Sequence, residues 1–317
     1  MINVTKVVIV GAGAVGSTVA YSLVVKGIAA EVVLVDRNMQ KARGEALDMQ
    51  HSMDFQNRNV RIYAGDYSDC HDADIVVITA AAPLNGETDR LAMQEKSEAI
   101  VASVVPQVME SGFDGIFLVV SNPVDVMAYL VYRLSGLPKE RVIGTGTVLE
   151  TARLKHAIGE IMNMDPRSVD AYVMGEHGDT MMVPWSHVRA GGKSFAEILN
   201  DSPQRFPGIS LEQIVEQTRL AGREVLTAKG NTQYGIASAV TGIVKAVLHD
   251  ENKMLPVSVF LDGEYGERDV YCGVPAILNR SGVKEIGEFH LREEEKEQLG
   301  RSADTLRQAI RRIKTLR

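Results

Sequence analysis

Lys6-Val-Val-Ile-Val10 runs directly into Gly11-Ala-Gly13-Ala-Val-Gly16, and this junction decides the fold. A continuous β-branched run is what a strand buried on both faces of a parallel sheet requires. The three glycines answer separate demands. The first permits a tight turn, the second lets backbone approach a pyrophosphate, and the third lets helix and strand pack closely. The helix expected over Ser17–Gly27 then offers free N–H groups to phosphates. A second strand, Glu31–Val35, ends at Asp36. Its carboxylate can accept from both hydroxyls of a ribose and repels a 2′-phosphate, so the pattern favours NAD over NADP. Arg37, next door, points the other way. Gly11, Gly13, Ala14, Val15, Gly16 and Asp36 are the expected cofactor-binding residues.

Outward from this unit, strand and helix alternate. Lys41–Ser52 reads as a helix, Val60–Tyr63 and Asp74–Ala80 as strands, and Asp89–Ser111 as a helix that Gly112 stops. Thr79, Ala80 and Ala81, at the end of one of these strands, join the expected cofactor residues. Gly115–Val120 is a strand, Asn122-Pro123 a loop signal, and Val124–Ser135 a helix. This order predicts an α/β fold, a doubly wound parallel sheet of the Rossmann kind, over residues 1–144. From Gly144 the rhythm becomes α+β, defining a substrate domain over 145–317. Its expected helices are Val148–Asn163, Leu211–Thr227, Tyr234–His249 and a charged one from Arg292. Its expected strands are Val169–Met174, Met181–Val188, Pro256–Leu261 and Asp269–Leu278. No repeat or flexible linker separates the halves, so the cleft between them should be tight.

Composition narrows the function. The chain has 317 residues, 45% hydrophobic and 24% charged, with a net charge of -7. That is ordinary for a globular protein and argues against nucleic acid or a membrane surface as partner. Cys70 and Cys272 are too few and too distant for a disulfide framework or a metal site, and read as reduced thiols. The N-terminus has no signal-peptide pattern, and no stretch of about 18 apolar residues could span a membrane. A cytoplasmic protein is expected.

The chemistry centres on Met174-Gly-Glu-His177-Gly-Asp179, a histidine between glycines after an expected strand. Glu150 and Arg153 lie three apart at a helix start and so share a face. Taken alone they would be a surface ion pair worth little. Gly86-Glu-Thr-Asp-Arg90 follows Pro83-Leu84-Asn85 in a loop, where Thr88 or Asp89 could equally be a helix cap. Ser121-Asn122-Pro123 ends a strand at the carboxyl edge, where open α/β sheets bind ligands.

In this order, the glycine turn, the Arg90 loop, Ser121-Asn-Pro-Val-Asp125, Val142-Ile-Gly-Thr-Gly146, Leu149–Arg153 and Gly175–Asp179 resemble the L-lactate/L-malate dehydrogenase family over nearly the whole chain. Gly44-Glu-Ala-Leu-Asp48, Pro184-Trp-Ser-His187 and Lys229-Gly-Asn-Thr232 lean to its lactate and hydroxyisocaproate branch. The resemblance implies an enzyme that interconverts a 2-oxo acid and its L-2-hydroxy acid. His177 would exchange the proton with the substrate oxygen, and Glu150 would orient and stabilise its ring. Arg153 would hold the substrate carboxylate by two parallel hydrogen bonds. Arg90 would polarise the carbonyl from a closing loop. Asn122 would bind near nicotinamide and the reacting oxygen, and Thr232 would line the substrate pocket. The resemblance also implies a homotetramer.

Three departures from the family pattern matter. The orienting acid is Glu150 where the family usually has Asp. The substrate-reading position before Arg90 holds Leu84, or Pro83 if Asp89 is an insertion, and neither is the Arg of malate enzymes. A second substrate carboxylate would lack a partner there, which disfavours malate. Leu84 suits pyruvate or, alternatively, a longer aliphatic acid of the hydroxyisocaproate type. Finally, Lys155 and Asp170 stand where enzymes activated by fructose 1,6-bisphosphate carry Arg and His, with His156 and His187 as nearby basic groups. Such activation is not expected. A metal-dependent glycosidase on a related fold and a non-catalytic NAD-binding protein remain as other readings.

Overall fold

The computed structural model describes residues 4–81 and 90–316. The buried β-branched runs form the expected strands: β1 (Lys6–Val10) and β2 (Glu31–Val35) are buried at every position. Between them lies α1 (Ala14–Lys26), closed by Gly27 in the left-handed region. The first half continues with α2 (Met39–His51), β3 (Arg61–Ala64), β4 (Ile75–Ile78), α3 (Arg90–Glu110), β5 (Ile116–Val119), α4 (Val124–Ser135) and β6 (Val142–Gly144). These strands pair in parallel in the order β3-β2-β1-β4-β5-β6. This is the doubly wound order, whose ligand crevice lies beyond the carboxyl ends of the strands.

The second half contains α5 (Val148–Met162), β7 (Val169–Asp170), β8 (Arg189–Ala190), β9 (Lys193–Ser194), α6 (Phe195–Asp201), α7 (Leu211–Lys229) and α8 (Tyr234–Leu248). It closes with β10 (Lys253–Asp262), β11 (Arg268–Asn279), β12 (Gly282–Ile286) and α9 (Glu293–Ile310). Strands β10, β11 and β12 are antiparallel and extend the same sheet beyond β6, so one nine-stranded sheet runs through both halves. Ser258 meets Gly144 at the seam, and a Cβ on Gly144 would lie 2.7 Å from the Ser258 Cβ. Only glycine permits so close an approach.

Two expected strands are mostly absent. Of Val169–Met174 only Val169–Asp170 pairs as a strand, and Met181–Val188 holds a single bridge, Met174 to Met182, and a short 3-10 turn over Trp185–His187. Their apolar residues are buried nonetheless. Val169, Ala171, Val173, Met181, Val183 and Val188 pack with Leu154 and Ile158 of α5 in a second core. The burial is therefore that of strands, but the backbone partners come from elsewhere. Thr151 Oγ1 accepts from the Val173 N–H at 2.8 Å, and Thr147 Oγ1 donates to the Val173 carbonyl at 2.6 Å. These two threonines clamp the start of α5 to the segment that leads into His177.

Candidate active site

The cofactor crevice is built from backbone. Gly11 has φ +110, a conformation that disfavours side chains. A Cβ on Gly16 would sit 1.8 Å from the Gly11 carbonyl oxygen, whereas one on Gly13 would meet nothing within 4 Å. The third glycine is thus a packing requirement, and the second faces open space. No side chain caps α1, at whose start Ala14 is exposed and Val15 half-buried. Asp36 closes the turn from β2, accepting from the Ala12 N–H at 2.7 Å and from the Asn38 N–H at 2.8 Å. Thr79 donates to the Gly11 carbonyl at 2.8 Å, and Ser121 to the Ala80 carbonyl at 2.7 Å. Thr79 therefore holds the turn in shape, while Ala80 is half-buried and Ala81 exposed. An open glycine, an uncapped helix start and an acid after the second strand together fit a dinucleotide.

The chemical centre is built from side chains. His177 lies in the loop Gly175–Thr180, which three elements pin. Gly175 exchanges backbone hydrogen bonds with Gly273 of β11, the Glu176 N–H donates to Ser302 of α9, and the His177 N–H donates to Asp125 of α4 at 2.9 Å. His177 Nδ1 stands 3.1 Å from Glu150 Oε2, a close ion pair. The ring is 28% exposed although Nδ1 is fully buried, so its open part lies away from Glu150. The other oxygen, Glu150 Oε1, accepts from Arg153 Nη1 at 3.0 Å. One carboxylate, 6% exposed, thus bridges the imidazole and the guanidinium. The reach of glutamate accommodates both.

Electrostatics follow from this arrangement. Burial opposes charge on Glu150, but His177 and Arg153 outweigh it and hold the carboxyl below its usual range. Burial likewise opposes a charged imidazole. Glu150 first, and Asp125 after it, overcome this and raise His177 to about 9, with Arg153 pulling the other way. The imidazole is thereby kept charged at neutral pH, ready to give a proton. Helix α7 roofs Arg153, since a Cβ on Gly222 would lie 3.0 Å from the guanidinium. Arg219 of the same helix pairs with Asp179 at the far end of the His177 loop, at 3.6 Å.

The structure brings His177, Glu150 and Arg153 together. Asn122 is exposed at the end of β5, after which the chain takes a cis peptide to Pro123. Thr232 is partly buried between α7 and α8, three residues before Gly235, whose backbone lies against Leu149 beside Glu150. Leu84 lies outside the described residues. Of Arg90 only the backbone is described, as the first residue of α3. Sequence reasoning assigned no role to Asp125 or Ser258. The signal available was an aspartate in the apolar opening turn of α4, now seen to be 2% exposed. Cys70 and Cys272 are both buried and unbridged, and among the described residues no three His, Cys, Asp or Glu side chains gather as a metal site.

A 3-2-1-4-5-6 parallel sheet, a glycine turn closed by an acid, and a histidine bridged to an arginine through a carboxylate define a nicotinamide-dependent dehydrogenase. The family models for the lactate/malate dehydrogenase NAD-binding domain and α/β C-terminal domain match residues 5–144 and 147–316. The chain belongs to the lactate/malate dehydrogenase family, whose cofactor is NAD. It is 48% identical over 309 residues to L-lactate dehydrogenase 3 of Bacillus thuringiensis subsp. konkukian, covering 97% of this chain and 98% of that protein. It is 50% identical over 306 residues to L-lactate dehydrogenase 1 of Bifidobacterium longum subsp. longum, covering 96% and 97% respectively. Among solved structures, the minor L-lactate dehydrogenase of Enterococcus mundtii in a ligands-bound form superposes with a TM-score of 0.94 at 41% identity, over 99% of both chains. A lactate dehydrogenase from a Medee basin deep-sea metagenome library gives 0.95 at 43% identity, over 98% of this chain and 99% of that one.

Proposed function

We propose that this enzyme reduces pyruvate to L-lactate, with Arg153 as the carboxylate clamp and His177 as the proton donor. The observation that carries the reading is the Glu150 bridge, 3.1 Å to His177 and 3.0 Å to Arg153. It sets a charged proton donor beside a planar cation that can grip a carboxylate through two N–H groups. NADH supplies the hydride when bound. His177 gives the proton to the ketone oxygen in reduction and recovers it in oxidation. Glu150 stabilises the imidazolium, Asn122 borders the reacting oxygen, and Thr232 lines the pocket. Arg90 polarises the carbonyl. Leu84, six residues before it, leaves no cation for a second carboxylate, which argues against oxaloacetate. Relatives named L-lactate dehydrogenase favour pyruvate over a longer aliphatic acid and over malate. The test is NADH oxidation with pyruvate, 2-oxobutyrate, 2-oxoisocaproate, phenylpyruvate and oxaloacetate. The highest kcat/KM with pyruvate supports the reading, and a lead for 2-oxoisocaproate replaces it with a hydroxyisocaproate-type enzyme.

The division into an NAD-binding domain over 1–144 and a catalytic domain over 145–317 belongs to the same reading, with the two sharing one sheet. So does assembly as a homotetramer. Large apolar side chains stay exposed on several helices, Tyr21 on α1, Leu47 on α2 and Leu220, Val225 and Leu226 on α7, as faces awaiting a second copy. A glycolytic, cytoplasmic setting fits a pyruvate-reducing enzyme, and no described helix is long and apolar enough to cross a membrane. Activation by fructose 1,6-bisphosphate is not part of this reading. Burial lowers Lys155, Asp170 stands opposite it, His156 pairs with Glu160 at 3.6 Å, and His187 stacks on Phe289.

A further inference from the structure

Asp125 closes the motif Ser121-Asn-Pro-Val-Asp125, yet the reaction as proposed assigns it no role beyond a charge felt by His177. It sits in the first turn of α4 and is 2% exposed. A carboxylate so deeply placed is costly unless its oxygens are engaged. Oδ2 accepts from the His177 N–H at 2.9 Å, and Oδ1 accepts from Ser258 Oγ at 2.6 Å. Ser258 is fully buried on β10 and lies opposite Gly144 at the seam between the two halves of the sheet.

We propose that Asp125 is a positioning residue for the reaction: its buried carboxylate fixes the backbone of His177, is itself fixed by Ser258, and places a second negative charge behind the imidazolium. The inference rests on His177 being the proton donor. Glu150 and Arg153 face His177 from α5, and Asp125 faces it from α4. Besides His177, Asp125 faces Ser258 of β10, Glu176 of the same loop and Cys272 of β11. Cys272 in turn feels Glu267 and Arg307, which are paired with each other. Burial pushes Asp125 up to about 6 against the pull of Ser258 and His177, which leaves it ionised above neutral pH, where His177 titrates. Its charge then favours the protonated ring. The hydroxyl of Ser258 matters because it favours the ionised form of Asp125.

Asp125→Asn separates charge from geometry. The amide oxygen can still accept from the His177 N–H, and the amide N–H can donate to Ser258 Oγ. The experiment follows the His177 ring by NMR in the full-length NADH-bound enzyme, together with kcat/KM for pyruvate against pH. Of the chain's seven histidines, the His177 signal is the one missing in His177→Gln. The expected result is that the ring's midpoint and the alkaline limb of the rate both fall by about half a pH unit or more in Asp125→Asn. Ser258→Ala moves both the same way by less, because Asp125 then holds its proton to higher pH. Unmoved midpoints in both variants would make Asp125 a fold anchor only and overturn the proposal. If Asp125→Asn does not fold, Ser258→Ala decides alone. Turnover persisting in His177→Gln is a different failure. It removes His177 as proton donor, while the NMR midpoint still judges the influence of Asp125.

Discussion

The proposed cofactor crevice and proton-transfer centre are made of different materials. The crevice is backbone: Gly11 in a conformation closed to most residues, Gly16 pressed against a carbonyl, and the open first turn of α1. Its side chains, Asp36, Thr79 and Ser121, mostly brace main-chain atoms. The centre is side-chain charge, with Glu150 bridging His177 and Arg153 and Asp125 behind them. The two regions should therefore fail differently. A changed charge should disable the centre and spare cofactor binding. A single added methyl group should disable the crevice and spare the chemistry.

The largest effect is expected at His177. His177→Gln should cut kcat for pyruvate by ~1000-fold, within the span general acid catalysis supplies, while NADH affinity stays within about twofold. Stopped-flow fluorescence of NADH binding beside steady-state rates would show the split. Loss of both together would break the comparison. The next effect is expected at Gly16. Gly16→Ala puts a Cβ 1.8 Å from the Gly11 oxygen, so the turn must move. NADH should bind at least ~10-fold more weakly, a change of about 1.4 kcal/mol, while kcat at saturating NADH falls much less. The smallest effect sharpens the picture of the second half. Millimolar fructose 1,6-bisphosphate should leave the KM for pyruvate unchanged within error, because Asp170 offsets Lys155. A clear fall in KM would show a phosphate site there.

The same division explains what the sequence made legible. Buried parallel strands leave continuous β-branched runs, and β1, β2, β4 and β5 are buried at every residue. Reading them needed nothing from distant residues. The short pieces β6, β8, β9 and β12 did, because each is a strand only through its partner. Helix α6 was readable, since Ser194 and Glu197 form a capping box, but its seven residues carry little periodicity. Met181–Val188 misled because its apolar run is genuinely buried, as a strand's would be, while Pro184 and a 3-10 turn spend the backbone elsewhere. At the site, His177, Glu150 and Arg153 stood out through motif order. Asp125 stood inside one of those motifs, but its partner Ser258 lay in none: the two are 133 residues apart and meet only where β10 joins the sheet.

Whether Glu150 makes His177 the proton donor is read from the pH dependence of pyruvate reduction in the wild type and in Glu150→Gln. A group raised by an acidic partner is protonated below its midpoint and loses the proton above it. Reduction should therefore hold steady through neutral pH in the wild type and decline only as pH rises toward about 9. In Glu150→Gln burial goes unopposed by that charge, so the limb should move down to neutral pH or below, with kcat reduced ~100-fold or more. A limb at the same pH in both enzymes, or undiminished turnover in the variant, would contradict the account.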